Sequence, residues 1–547
     1  MRAKVLVAAV VVPLLAAFIA LPLAILAIRS LADGPAVYAA AAADADNRRA
    51  LVNTLVTGGG AALLALVAGA PLGAALARLR LRGARALSML LVLPIAVPPY
   101  VWAMAWIALA SPRAGWLNRL AGAPLVDIYG AGGIVWVLGL ALYPLVLLPT
   151  RAALEAADPA LEEAARIGGA GPLRAFATGA LPLAARAAAS GTLLAFLAAI
   201  SAFGVPYLLG VATERPVLVA TTRVYQALAL GAEQDVRSAI ALCVLLLALA
   251  ALATVAASRF GRGAPAPAGK GRRPAPLDAP RLTRAAGVAA WTFAAAGVLL
   301  PILSIVVSAL TRRFDEPPGP SNLTLAQVAD VLGDAGHVRA ILHSVGLGAA
   351  AASLIVAIGA ALAFLRVSPL SRLAEAAYAI PGSVLALAIL LAFSREVRVI
   401  VLERVTIAVS MMGTLWVLLV AYVVKYLAFG VRAAETAARS VDPALEEAAR
   451  ISGAGAGRAF VDVTLPLARP ALAAAWLLAF LPCATELTMS VLLAGPRTPV
   501  LGTVLFELMS YADPPSAAVL ACVCLGLVVV AHAALRWLGR SPSGAAT

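Results

Sequence analysis

The chain has 547 residues, of which 63% are hydrophobic and 13% are charged, and its formal net charge is +15. Soluble domains carry roughly 25% charged residues, so the composition excludes an ordinary soluble protein and indicates a membrane protein. With 3 His residues in all, the chain is a poor match for a membrane enzyme, which would gather His, Asp or Ser side chains at one face. The net positive charge is explained by membrane orientation and anionic headgroups, so no nucleic-acid partner is predicted.

Twelve apolar stretches are each long enough to cross the hydrocarbon core as a helix, for which about 20 residues suffice. The first, Val5 to Ile28, is longer than the about 7 to 15 apolar residues of a signal peptide, so we expect a retained membrane helix there. The predicted spans are residues 5–28, 52–77, 86–110, 131–150, 187–212, 236–258, 285–310, 341–365, 373–394, 405–429, 470–494 and 515–535.

An even number of spans puts both termini on one side of the membrane. Positively charged loops face the cytoplasm, and the most basic segments are "RLRLRGAR" at residues 78–85 and the stretch 259–284. Both segments, and most of the other Lys and Arg residues, fall on the side of the termini. The sequence therefore predicts cytoplasmic termini.

The stretch "RFGRGAPAPAGKGRRPAPLDAPRLTR", residues 259–284, interrupts the apolar pattern after six spans. Its Pro, Gly and Ala content predicts an extended cytoplasmic linker. Its "GKG" lacks the earlier Gly and the following Ser or Thr of a phosphate-binding loop, so no nucleotide site is predicted. The linker divides the chain into a first half, residues 1–258, and a second half, residues 285–547.

The two halves look like an internal duplication. The stretch "NTLVTGGGAALLALVAGA" from residue 53 resembles "HSVGLGAAAASLIVAIGA" from residue 343, and "LPIAVPPY" from residue 93 resembles "IPGSVLAL" from residue 380. Because each half has an even number of spans, the repeats are predicted to be parallel, related by an axis along the membrane normal. Such halves enclose a substrate path in transporters.

The same nine residues, "DPALEEAAR", occur at 158–166 and again at 442–450, each time after the fourth span of a half. Asp158 and Asp442 are predicted helix caps, since a carboxylate accepts the free N–H groups of a first turn, and Pro159 and Pro443 suit the first helical position. The following acidic residues lie where the helix dipole favours anions. Glycines then stop each helix, and a second element leads to Leu-Pro.

Two interpretations of this helix, turn and helix remain open from the residues alone. The segment could fold back against the ends of the membrane helices. Alternatively, because it is acidic, rich in Ala and repeated without change, two similar soluble partners could dock on the two copies. It holds no His, Ser or Cys arranged for catalysis, so no catalytic residue is predicted.

The stretches "EEAARIGGAGPLRAFATGALPLA" (162–184) and "EEAARISGAGAGRAFVDVTLPLA" (446–468) resemble the EAA motif of ATP-binding cassette (ABC) importer permeases. The motif has Glu-Ala-Ala, three residues, Gly, and later Leu-Pro, with 13 residues from Gly to Pro in both copies. The positions that match are Glu163, Ala164, Ala165, Gly169, Leu181, Pro182, Glu447, Ala448, Ala449, Gly453, Leu465 and Pro466.

This resemblance implies an all-α membrane protein of the type I ABC importer permease fold, with two permease subunits fused in one chain. The EAA loops, at about 153–185 and 431–468, would couple to two copies of a separate ATPase subunit. ATP and Mg²⁺ would be bound there, and this chain would bind no cofactor. A periplasmic binding protein would deliver substrate, and the chain would lie in the bacterial inner membrane.

The substrate is expected to be ferric iron. Residues 201–228 and 486–508 resemble regions of iron(III) permeases, although thiamine and 2-aminoethylphosphonate systems are close relatives of that group. A secondary transporter with two six-span halves is a more distant alternative. It would show intramembrane charge pairs and, between spans two and three, a basic loop with a Gly and Asp-Arg pattern. The segment "RLRLRGAR" has the basic residues without the Asp or the glycine pattern.

Four further features of the apolar segments bear on function. Glu486 lies in the eleventh span, where an ionisable group either faces the substrate path or makes a structural hydrogen bond. Lys425 is expected to reach the headgroups. The four Cys residues lie in apolar helices and are expected to be buried packing residues. No cluster of side chains resembles a metal site.

Overall fold

This computed structural model describes most of the chain. The described residues are 9, 11–32, 34–211, 213, 216–230, 233–261, 274–314, 316, 318–364, 374, 377–394, 397–401, 405–409, 411–440, 442–511 and 513–538.

The first half of the described chain is helical. Several helices begin at clear local signals: the Asp44 carboxylate, for example, accepts hydrogen bonds from the backbone N–H groups of Asp46 and Asn47 at the start of a 34-residue helix. The helices are α1 (Val11–Ala32), α2 (Ala36–Ala43), α3 (Ala45–Arg78), α4 (Ala84–Val92), α5 (Pro99–Ala110), α6 (Trp116–Ala121), α7 (Gly130–Glu155), α8 (Pro159–Ile167), α9 (Pro172–Gly179), α10 (Leu181–Ser201), α11 (Ala220–Leu230) and α12 (Glu233–Gly261).

The second half repeats much of this order and adds two strands. The elements are α13 (Pro280–Ala309), α14 (Ala326–Gly333), α15 (Ala335–Phe364), α16 (Gly382–Phe393), β1 (Val397–Val401), β2 (Val405–Val409), α17 (Leu415–Ser440), α18 (Pro443–Ile451), α19 (Ala456–Ala459), α20 (Leu465–Ala484), α21 (Thr488–Leu493), α22 (Leu501–Ser510) and α23 (Pro514–Leu538).

The predicted multi-span helical architecture is confirmed. Ten helices in the described part of the chain are long and apolar enough to cross a membrane, and the pair Ala84–Ile95 and Pro99–Ala110, bent by 103°, adds an eleventh candidate. Of the ninth predicted span, residues 373–394, the structure describes α16 and a few residues before it, and the remainder lies outside the described residues.

The prediction that residues 405–429 form one membrane helix is wrong at its start. Residues 405–409 form β2, which pairs antiparallel with β1 so that Val397 lies opposite Val409, and α17 begins only at Leu415. The two stretches "VRVIV" and "VTIAV" are almost all β-branched, which favours strands. Hydropathy does not distinguish a short apolar strand from the first turns of a helix.

The fifth span of each half is interrupted rather than continuous to residues 212 and 494 as predicted. The helix α10 ends at Ser201, and after a break a helical segment follows, α-helical at Gly204–Pro206 and π-helical at Tyr207–Val211. In the second half, α20 ends at Ala484 and α21 starts at Thr488. The backbone therefore leaves the helical path at equivalent places in the two halves.

Equivalent polar contacts support the duplication. The Asn53 amide donates to the Leu218 carbonyl at 2.9 Å, and His343 Nδ1 lies 2.9 Å from the Pro499 carbonyl. One residue later in each half, a hydroxyl accepts a backbone N–H: Thr54 from Ala220 at 2.8 Å, and Ser344 from Leu501 at 2.7 Å. The two halves thus close the same tertiary contact with different side chains.

Small residues allow the long helices to approach closely. A Cβ built on Gly69 of α3 would lie 2.5 Å from the Tyr143 carbonyl oxygen of α7, and one on Gly359 of α15 would lie 2.4 Å from the backbone of Gly430 in α17. Neither helix pair could keep this spacing with a larger residue. Small residues play the same part in helix packing within membranes generally.

The chain divides into two compact units that do not follow the two sequence halves. The first-half unit is Pro35–Ala329 with Ala512–Cys522, and the second-half unit is Met1–Gly34 with Asp330–Tyr511 and Val523–Thr547. Within the second-half unit, α1 packs on α16, where the rings of Phe18 and Phe393 are 5.8 Å apart. Within the first-half unit, the Ser304 hydroxyl of α13 donates to the Ala105 carbonyl of α5 at 3.0 Å. The first span of each half is therefore packed with the other half.

Candidate functional site

The helices α8 and α18 are built alike from the repeated sequence. The Asp158 side chain accepts a hydrogen bond from the Ala160 N–H at 2.9 Å, and Asp442 accepts from the Ala444 N–H at 2.9 Å. Pro159 and Pro443 are the first helical residues. Each helix thus has its first free N–H group paired by a side chain that the sequence itself supplies.

A glycine ends each of these helices. Gly169 has φ 85° and Gly453 has φ 91°, the left-handed region that residues with a Cβ rarely adopt. In the first copy, the Gly169 N–H donates to the Arg166 carbonyl and the Ala170 N–H donates to the Ala165 carbonyl, at 2.9 and 3.0 Å, and the second copy makes the same two bonds. This pair of bonds is a Schellman motif.

The chain after each glycine leads into the fifth span. In the first copy α9 intervenes, and in the second copy α19 and a π-helical turn, Phe460–Thr464, take its place. Pro182 and Pro466 then occupy the first turns of α10 and α20, after Leu181 and Leu465. The motif's Leu-Pro pair therefore starts the membrane helix in the first half, whereas in the second half it lies within an apolar helix that runs from Gly457 to Ala484.

The outward surfaces of α8 and α18 are equally exposed and carry large apolar side chains. Ile167 is 89% exposed and Ile451 is 88% exposed, and Leu161 and Leu445 are each 48% exposed. The motif residues Glu163, Ala164, Glu447 and Ala448 are also exposed, whereas Ala165 and Ala449 are half-buried. An exposed apolar patch with charged neighbours marks an interaction surface.

Glu162, next to Glu163, is buried and forms an ion pair that sequence reasoning missed. Its carboxylate accepts two parallel hydrogen bonds from the Arg78 guanidinium, at 2.5 and 2.7 Å. Arg78 is the last residue of α3 and lies 5.2 Å above the Phe176 ring of α9. The basic segment "RLRLRGAR" begins at Arg78, which was the one signal available, but nothing local to that segment indicates a partner 84 positions away.

The corresponding position in the second copy is Glu446, which is half-buried. When the repeated stretches from residues 53 and 343 are matched, Ser368 stands where the first half has Arg78. Residue 368 lies outside the described residues. The ion pair between Glu162 and Arg78 is therefore a feature of the first half, and no equivalent is assigned to the second half.

The structure places Glu486 at the break between α20 and α21. Its carboxylate accepts hydrogen bonds from the N–H groups of Met489 and Ser490 at 2.9 and 3.0 Å and from the Ser490 hydroxyl at 3.0 Å, and the residue is 8% exposed. These bonds cap the first turn of α21 and account for the buried carboxylate without a ligand.

Lys425 does not reach toward headgroups as expected. It lies near the middle of the α17 span, and its ammonium group donates to the Tyr378 carbonyl at 3.1 Å and to the Ile380 carbonyl. Both carbonyls lie just before α16, where the backbone leaves the helical path. Lys425 therefore satisfies polar backbone groups at a break in a membrane segment.

The described residues hold no group of three or more His, Cys, Asp or Glu side chains that could bind a metal ion. Cys243, Cys483 and Cys524 are buried, Cys522 is half-buried, and all four are free thiols. These cysteines pack in helices, as the sequence indicates.

Comparison with known proteins identifies both halves. The profile of the family described as "Binding-protein-dependent transport system inner membrane component" matches residues 69–316 and again residues 344–543. Each match includes one copy of the repeated helix.

Individual relatives cover about half of the chain. The molybdenum transport system permease protein ModB of Mycobacterium tuberculosis is 29% identical over 262 residues, 47% of this chain and 92% of the relative. PhnV of Salmonella choleraesuis, named as a 2-aminoethylphosphonate transport system permease protein, is 27% identical over 48% of this chain and 99% of the relative. The molybdate/tungstate permease protein WtpB of Thermococcus kodakarensis is 31% identical over 35% of this chain and 71% of the relative.

Proposed function

Because the chain belongs to the family of binding-protein-dependent transport system inner membrane components, we propose that it is the permease of an ABC importer in which two permease subunits are fused. The observation that carries this proposal is the double family match, to residues 69–316 and 344–543, each with an EAA-like helix of the same geometry. Relatives that match nearly over their whole length cover half of this chain. A chain made of two fused permease subunits explains why a whole relative matches only half of it.

The docking sites for the ATPase are the exposed faces of α8 and α18. Each presents one isoleucine that is almost fully exposed, one exposed leucine, and the exposed alanine and exposed glutamate of the motif. Apolar groups at the centre of such a patch supply the burial, and Glu163 and Glu447 supply charge complementarity to a basic partner. One chain therefore binds two ATPase copies, which hold the ATP and Mg²⁺, while this chain binds no cofactor.

The orientation follows from this assignment. The ATPase is cytoplasmic, so α8, α18 and the linker face the cytoplasm, and with six spans in each half so do both termini. The substrate-binding protein docks on the opposite, periplasmic face. This agrees with the distribution of Lys and Arg along the chain.

We infer that the substrate is a small oxyanion. The relatives named for molybdenum, for molybdate and tungstate, and for 2-aminoethylphosphonate share one chemistry, an anion with several oxygen atoms around a central atom. Ferric iron, expected from the stretches 201–228 and 486–508, has no support among these relatives. It is retained as the alternative that the substrate experiment decides.

The docking proposal is tested by the double change Glu163→Lys with Glu447→Lys. Placing a like charge against a basic partner costs several kcal/mol, so we expect the ATPase to be lost when the tagged permease is purified from membranes. The matched control is Glu507→Lys, which makes the same charge change at an exposed residue of α22, at a predicted periplasmic end. Full ATPase recovery with the first variant would remove the docking role.

The substrate proposal is tested with the complete transporter in proteoliposomes. The binding protein is loaded in turn with molybdate, tungstate, 2-aminoethylphosphonate, ferric iron and thiamine, and ATP hydrolysis and uptake are measured. We expect an oxyanion to stimulate hydrolysis and to enter the vesicle. Stimulation and uptake with ferric iron alone would overturn the oxyanion assignment and leave the importer assignment intact.

A further inference from the structure

Arg78 is an unusual residue because its side chain is almost wholly buried at the end of a membrane helix. It is 2% exposed, and the paired Glu162 is 7% exposed. An arginine keeps its charge when buried, so its placement requires a partner of opposite charge with matching geometry. The two parallel N–H···O bonds to Glu162 supply that geometry.

These two bonds fix α8 on α3 in orientation as well as in distance. A bidentate pair between guanidinium and carboxylate is planar and directional, so the two groups move together or separate completely. Separation would leave two buried charges without compensation, which is strongly unfavourable. The Phe176 ring of α9 covers the guanidinium at 5.2 Å, a cation–π contact that further stabilises the buried charge.

Arg78 also holds the segment that leads to α13. The Leu277 N–H donates to the Arg78 carbonyl at 2.8 Å, and the Arg78 guanidinium donates to the Ala275 carbonyl at 3.2 Å. Leu277 is 7% exposed, so this part of the linker is packed against the protein. Three residues later, Pro280 begins α13, which belongs to the same compact unit as α3 and α8.

We propose that Arg78 is a positioning residue for transport: it ties the first ATPase-docking helix to the second membrane span of the first half and to the first span of the second half. A displacement of α8 by the ATPase is then passed to α3 through the ion pair and to α13 through residues 275–277. This inference rests on the proposed function, because it assumes that the ATPase docks on α8.

The test uses the complete transporter in proteoliposomes with three readouts: ATPase recovered with the permease, basal ATP hydrolysis, and the ratio of hydrolysis with loaded binding protein to the basal rate. The variants are Arg78→Met, Arg78→Lys, Glu162→Gln and the charge-exchanged pair Arg78→Glu with Glu162→Arg. The control is Arg151→Met. Arg151 lies on α7 and is half-buried. Its guanidinium pairs with Glu155 at 2.7 Å and donates to the Ser88 hydroxyl of α4 at 2.7 Å, and both partners lie outside α8 and residues 275–277.

We expect Arg78→Met, Arg78→Lys and Glu162→Gln to keep the ATPase bound and hydrolysing, because α18 and the exposed face of α8 are intact. The stimulation ratio should fall by about fivefold or more, the lower end of typical coupling between sites. The charge-exchanged pair should recover part of the ratio, and Arg151→Met should leave it unchanged.

Each other outcome decides the question. An unchanged ratio in Arg78→Lys and Glu162→Gln would overturn the positioning role, since both lose the bidentate pair but keep similar volume. Should Arg78→Met fail to insert, those two milder variants carry the test. If no ATPase is recovered with the unaltered chain, the proposed function itself is wrong, and the stimulation ratio has no meaning.

Discussion

Glu162 and Glu163 are neighbours in the chain, but α8 places them in opposite environments. Successive residues of an α-helix point about 100° apart, so one carboxylate turns toward the end of α3 and the other toward solvent. Glu162 is buried against Arg78, whereas Glu163 is exposed. Glu163 is the glutamate that matches the EAA motif, whereas Glu162, the residue before it, forms the ion pair with Arg78.

This difference predicts unequal effects on stability. Glu162→Ala leaves Arg78 buried without its partner and should lower the free energy of unfolding by about 3 kcal/mol or more. Glu163→Ala removes an exposed side chain and should change it by about 0.5 kcal/mol or less. Thermal unfolding of the two purified variants in detergent checks this, and equal midpoints would contradict the assignment of the ion pair.

Glu486 and Lys425 illustrate a second point about single residues. Each is an ionisable group in an apolar segment, which by itself suggests a substrate path. In the structure both are occupied by backbone groups next to a break in a membrane helix, Glu486 by N–H donors and Lys425 by carbonyl acceptors. Irregular backbone at membrane depth needs such partners, so the breaks explain these two charges.

The two helices α8 and α18 are the elements that the sequence predicts best. Their caps, first residues and terminal glycines depend on contacts between residues two to five positions apart. Because the nine-residue sequence is identical in both copies, these local contacts form in both. The glycines are required by backbone conformation and not by space, because nothing lies within 4 Å of a Cβ at Gly169 or Gly453.

That distinction leads to a prediction with an internal control. Gly169→Ala with Gly453→Ala puts a Cβ on two residues with positive φ, which costs roughly 1 to 2 kcal/mol at each site, and should weaken ATPase binding by distorting the ends of α8 and α18. Gly171→Ala with Gly455→Ala adds the same atoms two residues later, where there is also open space and φ is not positive. We expect the second pair to bind the ATPase like the unaltered chain; equal loss in both pairs would show that conformation is not the reason.

Other elements were predicted less well, because hydropathy is averaged over a whole apolar stretch. The strands β1 and β2 and the interrupted fifth spans lie inside apolar stretches that average hydropathy treats as continuous. A break in a membrane helix is stable only when other groups satisfy its backbone. At the break before α16 that group is Lys425, 45 positions from Ile380, which the stretch itself does not identify.

The whole molecule combines two sequence repeats in a way that hydropathy cannot predict. The first span of each half packs within the unit formed mainly by the other half. Mean hydropathy gives the length of a span but not its neighbours, because many apolar helix surfaces are interchangeable. The halves 1–258 and 285–547 are therefore repeats in the sequence, whereas the compact units are the groups of residues that contact one another.

The proposed orientation of the molecule is tested by labelling. After the four native Cys residues are replaced by Ala, single cysteines are introduced at Ile167 and at Leu120, which are 89% and 86% exposed. A membrane-impermeant thiol reagent added to intact cells should label position 120 and not position 167, since α6 follows the third span and α8 follows the fourth. Labelling of position 167 in intact cells would reverse the topology.

The sequence by itself determined the number of long apolar segments within narrow limits, the duplication, and the capped helices α8 and α18, because these depend on composition and on bonds between near neighbours. The tertiary structure alone decided that Glu162 faces inward, that its partner is Arg78, and that the first spans are exchanged between the halves. The partner of Glu162 is 84 positions away and the exchanged first spans are further apart still, so these pairings become definite only when the helices are packed.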